Sequence, residues 1–287
     1  MARKKRGLEI LIVILVLIVA GYGYYSLFER EASREEPGED KAITTFIPDS
    51  TDTLTIMNWN IQTFGLAKWD RPEAKKKILE IVPQADIVFI QEIRERTGVV
   101  FNDLCNYLNH THKCDITSRA GRTSSKEQYG VIYKKDIEVL GLTDFNPDTL
   151  DRWERPPVVV SFKVDDYEFL ATNIHIRPDD VVEELEDLEM LYMVSSVSTN
   201  RIWLGDFNAD CSYYDENNKT VFKNKFWVIR DYDDTAVSGR DCAYDRIILN
   251  SNMEQEYIRY GIYKNITSEV SDHYPVWVEI KAQEVVP

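Results

Sequence analysis

An α/β sandwich of two packed β-sheets is the fold class this sequence predicts. Short apolar runs alternate with segments of helical spacing from Leu54 onward. Strand and helix patterns are mixed throughout a 287-residue chain, with no internal repeat. Hydrophobic residues make up 44% of the chain, enough for a sizeable core.

The elements follow in chain order. LTIMNWNI (Leu54–Ile61) alternates as a strand, and Glu73–Val82 has helical spacing that ends at Pro83. DIVFIQE (Asp86–Glu92) reads as a compact buried strand, and Val99–Asn109 as a helix. YGVIYK, VVVSFKV and YEFLATNIH read as strands. His110 and His112 fall in a loop-like stretch. Asp179–Val197 is helical, with Val181, Leu185, Leu188 and Tyr192 on one stripe and two acids in the first turn. RIWLGDF, DRIIL and PVWVEI complete the strands.

The N-terminus has a different character. Residues 1–7 are basic, and Leu8–Phe28 is apolar except for Glu9. About 20 such residues span a bilayer. Tyr22, Tyr24 and Tyr25 suit the far interface. Positive charge before the span and acids after it put residues 1–7 in the cytoplasm and the rest outside. A cleaved signal segment is the rival, but Ala20-Gly21 is a weak cleavage site. Residues 29–52, with Pro37 and Pro48, read as a linker, leaving 53–283 as the folded domain. The expected location is therefore membrane-anchored outside the cell, or secreted if the segment is cleaved. Outside a cell, disulfides are favoured.

Charge and cysteines exclude some functions. Lys+Arg total 34 against 49 Asp+Glu, a net charge of -15, so binding nucleic acid through bulk charge is a poor fit. Four cysteines without a C-x-x-C argue against a zinc knuckle or thioredoxin-like site. Cys105 and Cys114 either bridge or stay free.

Several strands end in, or are preceded by, polar residues that hydrophobic patterning does not explain: Asn60, Glu92, His175 and Asp206 with Asn208 at strand ends, and Asp245 and Asp272 with His273 before strands. Taken singly, each has an ordinary reading. Asn60 suits a turn, His175 a satisfied core position, and Asp206-x-Asn208 an Asx-turn. Glu92 at the end of a buried strand is costly unless paired or bound to a cation. Together they match the needs of phosphodiester hydrolysis. Histidine moves protons near neutral pH, carboxylates orient histidine or hold Mg²⁺, and Asn donates to phosphoryl oxygen without adding negative charge.

The ordered set NWNI, QE, NIH, GDFNA, YDRI and SDHYP over residues 54–280 resembles the endonuclease/exonuclease/phosphatase superfamily. IQTFG, GR-x-x-x-KEQY, RPPVVVSF and GDFNADCSYY with CAYDRI narrow the likeness to its deoxyribonuclease I-like branch. The resemblance implies a four-layer sandwich of two central mixed β-sheets flanked by helices. It also implies Mg²⁺-dependent endonucleolytic cleavage of DNA to 5′-phosphate products, with Mn²⁺ as a substitute. By that likeness His175 pairs with Glu127, and His273 with Asp245. Glu92, Asn60 and Asp272 hold the cation, and Asp206 and Asn208 surround the scissile phosphate. Arg94 and Arg155 meet substrate, and Cys211 bonds Cys242. Asp234 matches an acidic ligand in a structural Ca²⁺ loop, but Ala236 and Arg240 replace threonines there. A second such loop keeps Asp151 but has Pro156 for an acid. Structural Ca²⁺ is left open. Ser125 stands where the family has an aromatic residue. The same fold acting on a lipid headgroup or another phosphoester is the alternative, against which KEQY and CAYDRI argue. No obligate protein partner is evident.

Overall fold

The structure is a computed structural model that describes residues 53–193, 199–215, 220–237, 239 and 241–282. The basic tail, the apolar segment 8–28 and the linker 29–52 lie outside the described residues. Among the described residues no helix is long and apolar enough to cross a membrane.

The first sheet contains β1 (Thr53–Phe64), β2 (Ile87–Ile93), β3 (His112–Ile116), β4 (Gln128–Lys134), β11 (Tyr257–Ile262) and β12 (Val276–Lys281). The second contains β5 (Glu138–Asp144), β6 (Val158–Val164), β7 (Tyr167–Asn173), β8 (Asn200–Asp206), β9 (Phe226–Trp227) and β10 (Asp245–Leu249). Their orders are β11-β12-β1-β2-β4-β3 and β5-β6-β7-β8-β10-β9. Both sheets are mixed: β1–β2 and β7–β8 pair parallel, and the other neighbours antiparallel.

Helices cover the outer faces. α1 (Leu66–Trp69), α2 (Pro72–Ile81) and α3 (Val99–Leu108) lie between strands of the first sheet in the chain. α4 (Val181–Met193) joins β7 to β8, and α5 (Ser251–Glu254) follows β10. Strand alternation sorts the side chains into three cores. Leu54, Ile56, Phe89 and Val131 meet Val160, Phe169, Ile202 and Ile247 between the sheets. Met57, Trp59, Val88 and Ile90 pack with Ile78 and Leu104 of α2 and α3. Trp203 and Ile248 pack with Val181, Leu185 and Leu188 of α4, which realises the predicted stripe. Tyr192's side chain lies outside the described residues. The result is the four-layer sandwich expected.

Several boundaries shift. β1 runs past Ile61 to Phe64, and the strand expected to reach His175 ends at Asn173. Pro83 does not end the α2 segment outright but sits in a short 3-10 turn, Val82–Gln84. His112 is not in a loop: it opens β3 and is buried. Cys105 and Cys114 form a disulfide between α3 and β3.

The inner faces of the central strands turn polar at one end. On β1, Leu54 and Ile56 are followed at the same spacing by Asn58 and Asn60. On β2, Ile87 and Phe89 lead to Gln91. On β8, Ile202 and Leu204 lead to Asp206, and β10 opens with Asp245 directly opposite it. Asn60 lies beside Gln91 in register. One end of the sandwich is therefore lined with buried polar groups.

Candidate active site

Buried polar groups must be paired, and here they pair across the sheets. Asn173 Nδ2 donates to Asn58 Oδ1 at 2.8 Å. Gln91 Nε2 donates to Ile174 O at 2.7 Å, and its Oε1 accepts the Asp206 N–H at 2.9 Å. Gly205 makes that approach possible. It has φ +153°, and a Cβ there would sit 1.9 Å from Ile174 O.

Two histidine–carboxylate pairs stand on this floor. His175 Nδ1 is 2.8 Å from Glu127 Oε1, and His273 Nδ1 is 2.8 Å from Asp245 Oδ2. Each pairing leaves Nε2 to face the site. Both Nε2 atoms approach Asp206 Oδ2, at 3.3 Å for His175 and 3.5 Å for His273. Asn60 Nδ2 donates to the same oxygen at 3.0 Å. The backbone supports both rings: the His175 N–H donates to Tyr129 Oη, and the Trp59 indole N–H donates to His273 O.

Burial and the Arg155 charge oppose ionisation of His175, but Glu127 and Asp206 outweigh them and raise its pKa. Burial likewise opposes ionisation of His273, and Asp245 and Asp206 lift it to about 10.

Glu92 sits where β2 leaves regular alternation. The register of β2 against both neighbours shifts around it, and its φ is +59°. The distortion brings Glu92 as well as Gln91 to the site. Glu92 Oε2 accepts the Thr63 N–H at 2.7 Å and lies 3.2 Å from Arg94 Nε. Its Oε1 is 3.4 Å from Asn60 Nδ2. Burial resists its ionisation, yet His175, Arg94, Thr63 and Asn60 together hold its pKa below the usual carboxylate range. Asp272 joins through Gln62, whose N–H donates to Asn60 Oδ1 and whose Nε2 donates to Asp272 Oδ2 at 2.7 Å.

The donor set suits a divalent cation. Glu92, Asn60 and Asp272 offer hard oxygen atoms, the type that Mg²⁺ and Mn²⁺ take. Ligand atoms of Glu92, Glu127 and His175 lie within 4.8 Å of one another. Asp272 Oδ1 is buried without a hydrogen-bond partner, as a cation ligand can be, whereas Glu127 Oε2, also without one, has the Arg94 guanidinium 3.7 Å away. Asp210, Cys211 and Cys242 also cluster, but both sulfurs are consumed in a disulfide.

The remaining predicted residues take supporting positions. Asn208 donates from Nδ2 to Ile176 O, and its N–H donates to Asp206 Oδ1. Arg155 is mostly buried; its Nε donates to His175 O and lies 3.7 Å from Glu127. Arg94 is more exposed and reaches Glu127 at 3.7 Å. Asp234 accepts the Ala236 N–H and lies 3.5 Å from Lys264. Asp151 pairs with Arg122. Sequence reasoning gave no role to Gln62, Gln91 or Ser271. Ser271 Oγ donates to Asn60 O and accepts the His273 N–H. Gln62 and Gln91 stand inside the quoted motifs IQTFG and QE, which was the available signal.

The chain matches the Endonuclease/Exonuclease/phosphatase family over residues 57–273. It is 30% identical over 262 residues to deoxyribonuclease-1 of Bos taurus, covering 79% of this chain and 92% of that protein. It is 31% identical over 280 residues to deoxyribonuclease gamma of Mus musculus, covering 84% and 89%. Among solved structures, an endonuclease/exonuclease/phosphatase family protein from Bacteroides thetaiotaomicron superposes with TM-score 0.61 at 18% identity. That match covers 81% of this chain and 98% of the other. A mannosyl-6-phosphatase from the same organism gives 0.60 at 18% identity, covering 78% and 98%. These two likenesses are of fold alone. The sequence likenesses reach further, and on them the chain belongs to the endonuclease/exonuclease/phosphatase family, as a deoxyribonuclease I-like hydrolase.

Proposed function

We propose that this chain is a divalent-cation-dependent endonuclease that cuts DNA phosphodiester bonds and leaves 5′-phosphate ends. The observation that carries this is the pair of histidines, each backed by a carboxylate, with both Nε2 atoms at one point beside Asp206. The two relatives named as deoxyribonucleases support DNA as the substrate.

The residues divide the work. Glu127 and Asp245 hold the Nδ1 atoms, so proton exchange falls to Nε2. One Nε2 takes a proton from the attacking water. The other gives one to the departing O3′, the oxygen released when a 5′-phosphate forms. Asp206 orients the water between them. Arg94 faces the substrate phosphates and partly offsets the chain's negative charge, while Arg155 holds the His175 backbone. A Mg²⁺ or Mn²⁺ ion held by Glu92, Asn60 and Asp272 would stabilise negative charge on the phosphoryl oxygens.

The same proposal puts the domain outside the cell, anchored by residues 8–28 or released by cleavage. Two disulfides and the charge asymmetry around that segment support it. Protease digestion of intact expressing cells tests the location: a domain that stays protected contradicts it.

Activity is tested with the full chain on supercoiled plasmid, RNA and a lipid phosphodiester, with Mg²⁺, Mn²⁺, Ca²⁺ or EDTA. Nicking with Mg²⁺ or Mn²⁺ that EDTA abolishes is the expected result. Lipid hydrolysis with intact plasmid would transfer the activity to the other branch.

A further inference from the structure

Lys68 lies at the end of α1 and is 6% exposed. A buried lysine is rare, because the ammonium loses its hydration. No carboxylate hydrogen-bonds its Nζ among the described contacts. The Nζ instead donates to two backbone carbonyls, Ile61 O at 2.9 Å and Val270 O at 2.6 Å. Ile61 follows Asn60, and Val270 precedes Ser271, Asp272 and His273. The same two segments are also joined by Ser271 Oγ to Asn60 O and by Gln62 Nε2 to Asp272 Oδ2.

This stitching meets a distorted stretch of β1. The register against β2 shifts between Asn60 and Phe64, and Gln62 and Thr63 have φ of +35° and +53°. The Ile61 carbonyl is satisfied here by a side chain. The ammonium charge also acts on the acids of the site. Burial lowers the Lys68 pKa to about 8, against the opposing pull of Asp272 and Glu92.

We propose that Lys68 is a built-in counterion that keeps Glu92 and Asp272 assembled before the metal arrives. Two carboxylates gathered for one cation repel each other when it is absent. A fixed internal cation offsets that repulsion, and the carbonyl contacts fix its place. The cost is weaker cation binding, since the ammonium and the incoming ion share the same acids. Lys68 is therefore a positioning residue that tunes metal affinity. This rests on the assignment of Glu92 and Asp272 to the cation pocket.

The test is thermal unfolding and calorimetric Mg²⁺ titration of the full chain, for wild type, Lys68→Met, Lys68→Gln and Lys68→Arg. Gln retains an N–H donor but removes the charge, whereas Arg retains both. The metal-free Tm should fall in the Met and Gln variants. Saturating Mg²⁺ should then raise their Tm by more than it raises wild type, with Mg²⁺ bound about tenfold more tightly. Arg should track wild type. If Met and Gln fold only when Mg²⁺ is present, the inference is equally supported. An equal Mg²⁺-induced Tm gain in all four proteins overturns it, leaving Lys68 as a structural clamp. A wild type that binds no Mg²⁺ overturns the pocket assignment itself.

Discussion

His175 and His273 bring their Nε2 atoms to one oxygen, Asp206 Oδ2, at 3.3 and 3.5 Å. The two rings lie 98 positions apart in the chain and come from segments of different sheets. One follows β7 of the second sheet, and the other precedes β12 of the first. Their convergence depends on the sheets being locked together by Asn58, Gln91 and Asn173.

Each imidazole depends on its carboxylate. In Asp245→Asn an amide group can face His273 Nδ1 and hold the ring in the wrong tautomer. The loss in kcat should be roughly 10²–10⁴-fold, with KM little changed. Steady-state kinetics on plasmid DNA with Mg²⁺ would measure it. A near-wild-type kcat would remove Asp245 from the chemistry.

Gly205 allows the approach of β8 to the His175 segment. Gly205→Ala puts a Cβ 1.9 Å from the Ile174 carbonyl, at a φ that L side chains rarely adopt. The backbone must shift there, at a cost of about 2–3 kcal/mol. Urea denaturation should record the loss, accompanied by reduced activity because Ile174 adjoins His175. Unchanged stability would mean the strands can separate freely.

Glu184 offers a pH test away from the proton-transfer groups. Its Oε1 accepts the Glu154 N–H at 2.7 Å, and its Oε2 accepts the Arg177 N–H at 3.3 Å. Burial raises its pKa from 4.5 to about 7 despite those bonds. The folded chain therefore binds this proton more tightly than the unfolded chain does. Stability must fall as pH rises from about 4.5 to 7, and the cost is complete above 7. It amounts to at most about 3 kcal/mol. Unfolding free energies of wild type and Glu184→Gln at several pH values give the comparison. The difference between them should move in favour of Gln as pH rises; parallel curves would contradict the assignment.

The two disulfides should differ in weight. Cys211–Cys242 closes a separation of 31 residues and Cys105–Cys114 one of 9. On chain entropy the longer loop contributes about 4 kcal/mol and the shorter about 3 kcal/mol. Paired Cys→Ser variants compared by Tm should show the larger fall for Cys211/Cys242. That pair should also lower activity, since it lies just beyond Asp206 and Asn208.

Central strands were legible because long apolar runs end abruptly in a polar residue. Asn60, Glu92 and Asp206 could be picked out in that way, and Asp245 and His273 as polar residues at the start of such runs or just before them. The four strands that patterning missed, β3, β5, β9 and β11, are the edges of the two sheets. Edge strands bury fewer side chains, so β5 carries an exposed and mixed sequence with no continuous apolar run. The pairing of His175 with Glu127 came only from family likeness, because nothing local links residues 48 positions apart. Lys68 gave no signal at all. It sits in a four-residue helix beside exposed Leu66, and its burial results from contact with a segment 202 positions away.

The most direct test compares single-turnover DNA cleavage by His175→Ala, His273→Ala and the double variant, at saturating Mg²⁺. Groups that act on one reacting centre are strongly non-additive. Each single variant should lose at least about 10²-fold, and the double variant should be no worse than the poorer single one. A single variant that cuts at the wild-type rate, or losses that multiply in the double variant, would contradict a shared centre at Asp206.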